Sequence, residues 1–423
     1  MLKKLKKIDV FAKNIVIVFA GTSLANFFNL LYQLLIAHKL STLEFAAFNS
    51  LLSIFMVVSS PLGTIQMAVT KYSAEFNAHN QIAKIKFLLS DLFKKASILA
   101  FFTLLIFWSV SIYIMNALKI TSLYCSYILA VLLALSWLTP IFLGGVQGLE
   151  LFGWLASVSV VAGILKLTLA FILILLGFNI AGALGALLAS SLIGLVIFYF
   201  PLRRFISIKV IKEDFNYKEM LVYLFPVAIS YFCFIALINF DMVLVKYFFL
   251  QEDSGFYSLA QMVGKIFVFL PGAISMVMFP KTCGLNTKNM DTISTLNRSL
   301  LYVLGLCIFA NLFYNLFPSF VLKVLTGKVY LESIFLGRLF GISMSFFALL
   351  FILITYFLSV SDLRFIKYLV LFTILQYLAI VLLHKSLIQI QGILCINAIL
   401  LFLIHLALVN FAKPKVVLKT CKI

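Results

Sequence analysis

Apolar runs of about twenty residues follow one another along nearly the whole chain, separated by short segments that hold most of the charge. Each run is long enough to cross a hydrocarbon core of about 30 Å as a helix. Cutting at charges and at Gly, Pro and Asn turns predicts helices over 14–38, 45–70, 96–118, 123–146, 151–176 and 180–202 in the first half. The second half gives 220–249, 254–280, 299–322, 333–358, 365–383 and 387–411. The pattern predicts an all-α polytopic membrane protein of about twelve transmembrane helices. No connecting segment exceeds about 25 residues, too short for a folded domain of about 50 residues or more, so any function has to lie between the helices. The longest polar stretches, 71–95 and 203–218, are expected to carry short interfacial helices.

Composition agrees: 64% of residues are hydrophobic and only 11% charged, against about a quarter charged in soluble domains. A net charge of +19 would point to nucleic acid in a soluble protein, so the placement of the charges decides its meaning. With the N-terminus inside, 24 lysines and arginines fall in the inner segments and 6 in the outer ones. The positive-inside rule then puts both termini in the cytoplasm, and the basic loops face anionic headgroups rather than nucleic acid. The lysine-rich start, residues 1–13, resembles a secretory signal, but the apolar run that follows is too long for one and is read as the first spanning helix. Six cysteines are scattered with no CxxC and no nearby histidine pair, so neither metal nor other cofactor is expected.

A shift of 210 residues lays the first two helices on the seventh and eighth. Asn29 falls on Asn239, Pro61 on Pro271 and Lys71 on Lys281, with six identities over 26–71. The shared layout is a polar helix, an acidic outer turn, an aromatic residue, a mid-helix proline and a basic exit. Six helices per repeat preserve orientation, so the chain reads as two parallel six-helix repeats, residues 1–208 and 209–423, an arrangement of transporters.

Ionisable groups inside spanning helices cost about 2.5–3.5 kcal/mol each on insertion scales, and they mark cavities or ion pairs. Four require explanation: Lys166, Lys265, Asp241 and Arg338, with a net charge of +2. Lys166 lies near mid-membrane, out of reach of either surface. Arg338 is close enough to the outer side to snorkel. Asp241 and Lys265 each lie twelve residues from Asp253, so a salt bridge between antiparallel neighbours is expected, either permanent or exchanged during a transport cycle. On the first helix Asn26, Asn29 and Gln33, at spacings of three and four, share one face. Their amides suit either sugar hydroxyls or helix–helix hydrogen bonds, and Asn239 joins them as the repeat partner of Asn29. Pro61, Pro226 and Pro271 interrupt their helices.

Two segments carry a family resemblance. LSTLEFAAFNSLLSIFMVVSSPLGTIQMAVTKYSAEF (40–76) and NFDMVLVKYFFLQEDSGFYSLAQMVGK (239–265) resemble the helix 1–2 and helix 7–8 regions of polysaccharide flippases, in the multidrug/oligosaccharidyl-lipid/polysaccharide exporter superfamily. GGVQGLELFG (144–153) is similar to the family's Q-G turn between helices 4 and 5. The resemblance implies a MATE-like two-lobe architecture, with a cavity lined mainly by helices 1, 2, 7 and 8 that opens alternately to either side. It further implies a non-enzymatic function in a bacterial cytoplasmic membrane: flipping an undecaprenyl-pyrophosphate-linked oligosaccharide. The net basic in-span charge suits a pyrophosphate, with membrane lipids and a coupling cation as further candidate partners. A cation-coupled multidrug exporter of the same fold is the nearest alternative, and a cavity for cationic drugs should be acidic. A membrane glycosyltransferase or polymerase would need paired carboxylates, and the outer acidic residues Glu44, Glu252, Asp253 and Glu332 form no DxD pattern.

Overall fold

The computed structural model describes residues 2–206, 217–288 and 290–410, and among them the secondary structure is entirely helical. In chain order the elements are α1 (Leu2–Lys39), α2 (Thr42–Ser59), a 3₁₀ turn (Ser60–Leu62), α3 (Gly63–Ala78), α4 (Ile82–Ser109), α5 (Ser111–Ala117), α6 (Leu123–Gly148), α7 (Phe152–Leu175) and α8 (Asn179–Leu202). They continue with α9 (Tyr217–Phe248), α10 (Gln251–Thr287), α11 (Ile293–Leu316), α12 (Pro318–Thr326), α13 (Leu331–Ser359), α14 (Ile366–Leu382) and α15 (Leu387–Asn410). Eleven helical stretches among the described residues are long and apolar enough to cross a membrane, counting Thr42–Ala78 as one. The apolar helix Ile366–Leu382, 17 residues long, falls just short of that length and accounts for the twelfth expected span.

The sequence places the boundaries well where a backbone signal marks them. Gly177 takes a φ of +87°, open to glycine, and closes the short turn between α7 and α8. Pro61 forces the 3₁₀ turn between α2 and α3, and the Thr64 hydroxyl donates to the Pro61 carbonyl at 2.6 Å. Pro226 and Pro271, by contrast, lie inside the continuous helices α9 and α10. The stretch 71–95 holds no separate interfacial helix: α3 runs on to Ala78 and α4 begins at Ile82, because nothing but the turn at 79–81 breaks helix formation. Most of the second polar stretch, 207–216, lies outside the described residues.

The chain divides into two compact units. The first comprises Met1–Leu40 and Val58–Ala228, the second Ser41–Val57 and Ile229–Ile423. The chain therefore passes from one unit to the other three times, and α2 belongs to the second although α1 and α3 belong to the first. Ala46 of α2 accordingly sits in the second unit's core with Phe234, Leu237 and Phe347.

Within the first unit, α6 packs against α3, α4 and α8, and α7 packs against α1 and α8. Close approach depends on small residues at fixed places. A Cβ on Gly144 would lie 2.7 Å from the Gln66 carbonyl oxygen, and one on Gly148 would lie 2.6 Å from that of Thr70. Gly144 and Gly148 thus form a small-xxx-small seam for α3. Gln147 seals the seam, its Oε1 accepting from Gln66 Nε2 at 3.2 Å. The segment 144–153, read from sequence as a turn between two spans, holds the end of α6, the turn at 149–151 and the start of α7. Gly21 similarly lets α7 approach α1, since a Cβ there would lie 2.4 Å from the Ala156 Cβ. In the second unit α13 is the central helix, packed against α10, α11 and α15. Many large apolar side chains point outward, among them Phe101, Ile106 and Trp108 of α4. In a bilayer these meet acyl chains, and helix association rests on packing and internal polar contacts.

Because the neighbour of Gly148 is backbone, which cannot give way, Gly148→Leu should lower the stability of the purified protein by roughly 1–3 kcal/mol through overpacking. Gly153, with open space around its Cβ position, provides the control: Gly153→Ala should leave the melting temperature in detergent nearly unchanged.

Candidate functional site

The α1–α7 contact creates the first site. Gly163 brings α7 to within 3.0 Å of the Phe28 Cβ, measured from the position of a built Cβ. Three residues further along α7 and one further along α1, Lys166 and Asn29 meet. The Lys166 Nζ donates to Asn29 Oδ1 and sits 4.6 Å from the centre of the Tyr32 ring. Tyr32 is buried, and its hydroxyl donates to the Ala183 carbonyl of α8 at 2.9 Å, which fixes the ring beneath the ammonium. Lys166 lies fourteen residues into α7 and nine from its end, about 21 Å and 14 Å along the helix. One amide and one aromatic face therefore hold a mid-membrane cation with, among the described residues, no carboxylate beside it.

These residues border a cavity of about 340 Å³ formed by α1, α7 and α8. Thr22, Asn26 and Asn29 line one wall, Ser159 and Lys166 another, and Ser190 and Ser191 a third. The Ser159, Ser190 and Ser191 hydroxyls donate to carbonyls of their own helices at 2.8–2.9 Å. Their lone pairs remain as acceptors, while Asn26 offers both a donor and an acceptor. The lining holds one cation, no acid and a ring of neutral polar groups. Gln33, one turn beyond Asn29, is half-buried and does not line this cavity.

The second unit holds an opposite arrangement. Asp241 is completely buried; it accepts from the Tyr257 hydroxyl at 2.7 Å and from Gln261 Nε2 at 3.2 Å. Gln391 Nε2 donates in turn to the Tyr257 oxygen at 3.1 Å. The carboxamide oxygens of Gln261 and Gln391 are buried and meet no donor. The expected salt bridge to Lys265 does not form: Lys265 is within electrostatic range of Asp241 but makes no ion pair with it. The helical turn explains why. α9 ends at Phe248 and α10 begins at Gln251, so the bend lies three to four residues before Asp253. Asp241 is then about 10 Å from its helix end and Lys265 about 21 Å from its own, whereas Tyr257, about 9 Å along, matches Asp241 in depth.

Asn239 is buried and its Nδ2 donates to the Ile235 carbonyl of its own helix at 3.0 Å, unlike its repeat partner Asn29. Arg338 is exposed and lines a different cavity of the second unit with Asp253, Glu332 and Lys385. The structure thus brings together Lys166, Asn29 and Asn26, leaves Lys265 short of an ion pair with Asp241, and separates Gln33, Asn239 and Arg338 from both. Sequence reasoning missed Tyr32, the Ser190–Ser191 pair, Gln261 and Gln391. The signal for the serines was a polar pair inside an otherwise apolar helix, and for Gln261 and Gln391 uncharged polarity at spans where only charges were weighed.

A family model described as a polysaccharide biosynthesis protein matches residues 11–282. Among solved structures, the lipid II flippase MurJ in an inward closed conformation is similar at 14% identity and a TM-score of 0.71, covering 93% of this chain and 87% of that one. A multidrug resistance MATE family transporter of the MOP superfamily, inward-facing, is similar at 15% identity and a TM-score of 0.69, covering 92% and 96%. A MOP superfamily transporter from Pyrococcus furiosus, described as having a binding pocket of reversed polarity that suggests a different function, is similar at 15% identity and a TM-score of 0.53, covering 94% of each chain. No curated protein matches by sequence. These likenesses show the fold.

If hydrogen bonds rather than an ion pair hold Asp241, Tyr257→Phe should cost roughly 1–3 kcal/mol of stability, since it strips a donor from Asp241 and an acceptor from Gln391. Lys265→Met should cost less. Thermal unfolding of the two purified variants compares them, and a costlier Lys265→Met would restore the ion pair as the dominant contact.

Proposed function

This chain belongs to the polysaccharide biosynthesis protein family, and on that premise we propose that it flips an undecaprenyl-pyrophosphate-linked oligosaccharide from the inner to the outer leaflet of a bacterial cytoplasmic membrane. The observation that carries the proposal is the Lys166 cavity: one mid-membrane cation, no acidic side chain, and neutral donors and acceptors around it. A diphosphate exchanges its hydration for contact with an ammonium that the protein has already desolvated. Among the described residues Lys166 is held by Asn29 and the Tyr32 face and by no carboxylate, so an arriving phosphate would give it a counter-ion. Asn26, Ser190 and Ser191 offer the paired hydrogen bonding that sugar hydroxyls take.

The polarity of this cavity argues against a carrier of cationic drugs, which would face repulsion from Lys166 and gain no carboxylate. A coupling cation finds a more suitable place at Asp241, where a carboxylate, a phenol oxygen and the orphaned Gln261 and Gln391 carboxamide oxygens stand together in a dry interior. These oxygens would replace the water shell of a small monovalent ion. Both termini are assigned to the cytoplasm, following the asymmetry of the basic loops.

The proposal is tested by export of lipid-linked glycan in cells whose own flippase is deleted, with the level of the membrane protein measured in parallel. Lys166→Arg should retain partial export. Lys166→Ala should lose it at least tenfold and Lys166→Glu more, at normal protein level, since a desolvated charge contact is worth on the order of 1.5–3 kcal/mol. Full export by Lys166→Ala would remove this cavity from the substrate path.

A further inference from the structure

Arg338 and its surroundings play no part in the cavity assigned to the substrate, yet they form a site of their own. α13 is the most enclosed helix of the second unit, and apart from Glu332 in its first turn its exposed residues fall on one stripe: Leu331, Phe335, Arg338 and Ile342, at spacings of four, three and four. Arg338 lies seven residues into the helix, about 10 Å below its outer end. Its electrostatic neighbour is the phenol of Tyr314, whose hydroxyl is committed to the Ile334 carbonyl at 3.2 Å, and among the described residues it makes no ion pair with a carboxylate.

A cavity of about 730 Å³ opens beside it, bordered by the start of α13, the turn into α10 and the turn into α15. Its charged lining comprises two basic side chains, Arg338 and Lys385, and two acidic ones, Asp253 and Glu332. No two of these four form an ion pair. The rest of the lining is mainly apolar and includes Leu331, Phe335 and Ile388, whose side chains are 78%, 46% and 55% exposed.

A pocket for an anion would be net positive, and a pocket for a cation net negative. This pocket sums to zero with both signs present and unpaired, which matches a ligand that carries both charges at once. The volume is that of a small-molecule site, and the apolar stripe continuing down α13 past Arg338 offers a surface for chains attached to such a ligand. We propose that this pocket holds the headgroup of a zwitterionic aminophospholipid, its phosphate met by Arg338 and Lys385 and its ammonium by Asp253 and Glu332, with Leu331 and Phe335 flanking the headgroup and the acyl chains leaving past Ile342. The guanidinium then reaches a phosphate at headgroup depth instead of standing bare in hydrocarbon.

The test uses the full chain purified in mild detergent, with lipid retention read by native mass spectrometry and thermal unfolding. The probes are dioleoyl phosphatidylethanolamine, dioleoyl phosphatidylglycerol and the chain-free headgroup glycerophosphoethanolamine. The wild type should retain and be stabilised by phosphatidylethanolamine in preference to phosphatidylglycerol, with no response to the free headgroup at the same concentration. Arg338→Gln should weaken phosphatidylethanolamine retention about tenfold, the loss of one charged contact. Lys385→Gln sits in the α14–α15 turn, where folding is least at risk, and should weaken retention in the same direction. Glu332→Gln should move the preference toward phosphatidylglycerol by removing the partner of the ammonium. Equal retention of the two lipids by the wild type overturns the proposal, as does unchanged preference in Lys385→Gln and Glu332→Gln. Binding of the free headgroup as tightly as the lipid would make this a site for soluble zwitterions and would also overturn it.

Discussion

The cost of holding a single charge in the middle of a membrane without a counter-ion organises the first unit. Lys166 can remain there only because Asn29 and the face of Tyr32 stand beside it, and they stand beside it only because α1 and α7 touch closely. That contact in turn requires small residues at Gly21, Ala156 and Gly163, where any larger side chain would force the helices apart. Tyr32 extends the arrangement to α8 through its hydrogen bond to Ala183. Three helices are thereby tied to one ammonium, and the cavity among them has its charge fixed by packing before any ligand arrives.

The two units solve the same desolvation problem with opposite signs. In the first, a cation is given neutral partners and left electrostatically unsatisfied. In the second, the Asp241 carboxylate is enclosed by donors from α10 and, one step further, by Gln391 of α15. Buried networks of this kind are stable when every member is satisfied, and the two carboxamide oxygens left without donors are where this one is incomplete. The two buried groups thus differ in sign and in partners: an ammonium beside an amide and an aromatic face in the first unit, a carboxylate beside hydroxyl and amide donors in the second.

Much of this was legible in the sequence because membranes impose length and polarity on every span. Apolar runs gave the helices, Gly177 and Pro61 marked breaks that the backbone requires, and the position of Lys166 far from both surfaces singled it out before any contact was known. Spacing alone put Asn26, Asn29 and Gln33 on one face of α1, but not that Asn29 meets Lys166 of α7. Depth across the α9–α10 bend did not follow: a bend at Phe249–Leu250 instead of Asp253 pairs Asp241 with Tyr257 and leaves Lys265 about 10 Å deeper. Nor did the membership of α2 in the second unit, since a chain that leaves a unit and returns carries no mark in its hydropathy. Tyr32 was hidden for a related reason. Its role depends on which helices neighbour α1, a tertiary fact, and an aromatic in a spanning helix is otherwise unremarked.

The claim on which the functional account rests is that the Lys166 cavity selects a lipid by its anionic headgroup. The direct measurement is transbilayer movement in proteoliposomes containing the purified protein, using an undecaprenyl-linked oligosaccharide with a pyrophosphate and a matched lipid whose linkage is uncharged. The account predicts movement of the pyrophosphate lipid above the rate in protein-free vesicles, with little movement of the uncharged lipid, and loss of this discrimination in Lys166→Ala. Equal movement of both lipids by the wild type, or undiminished discrimination by the alanine variant, would contradict it.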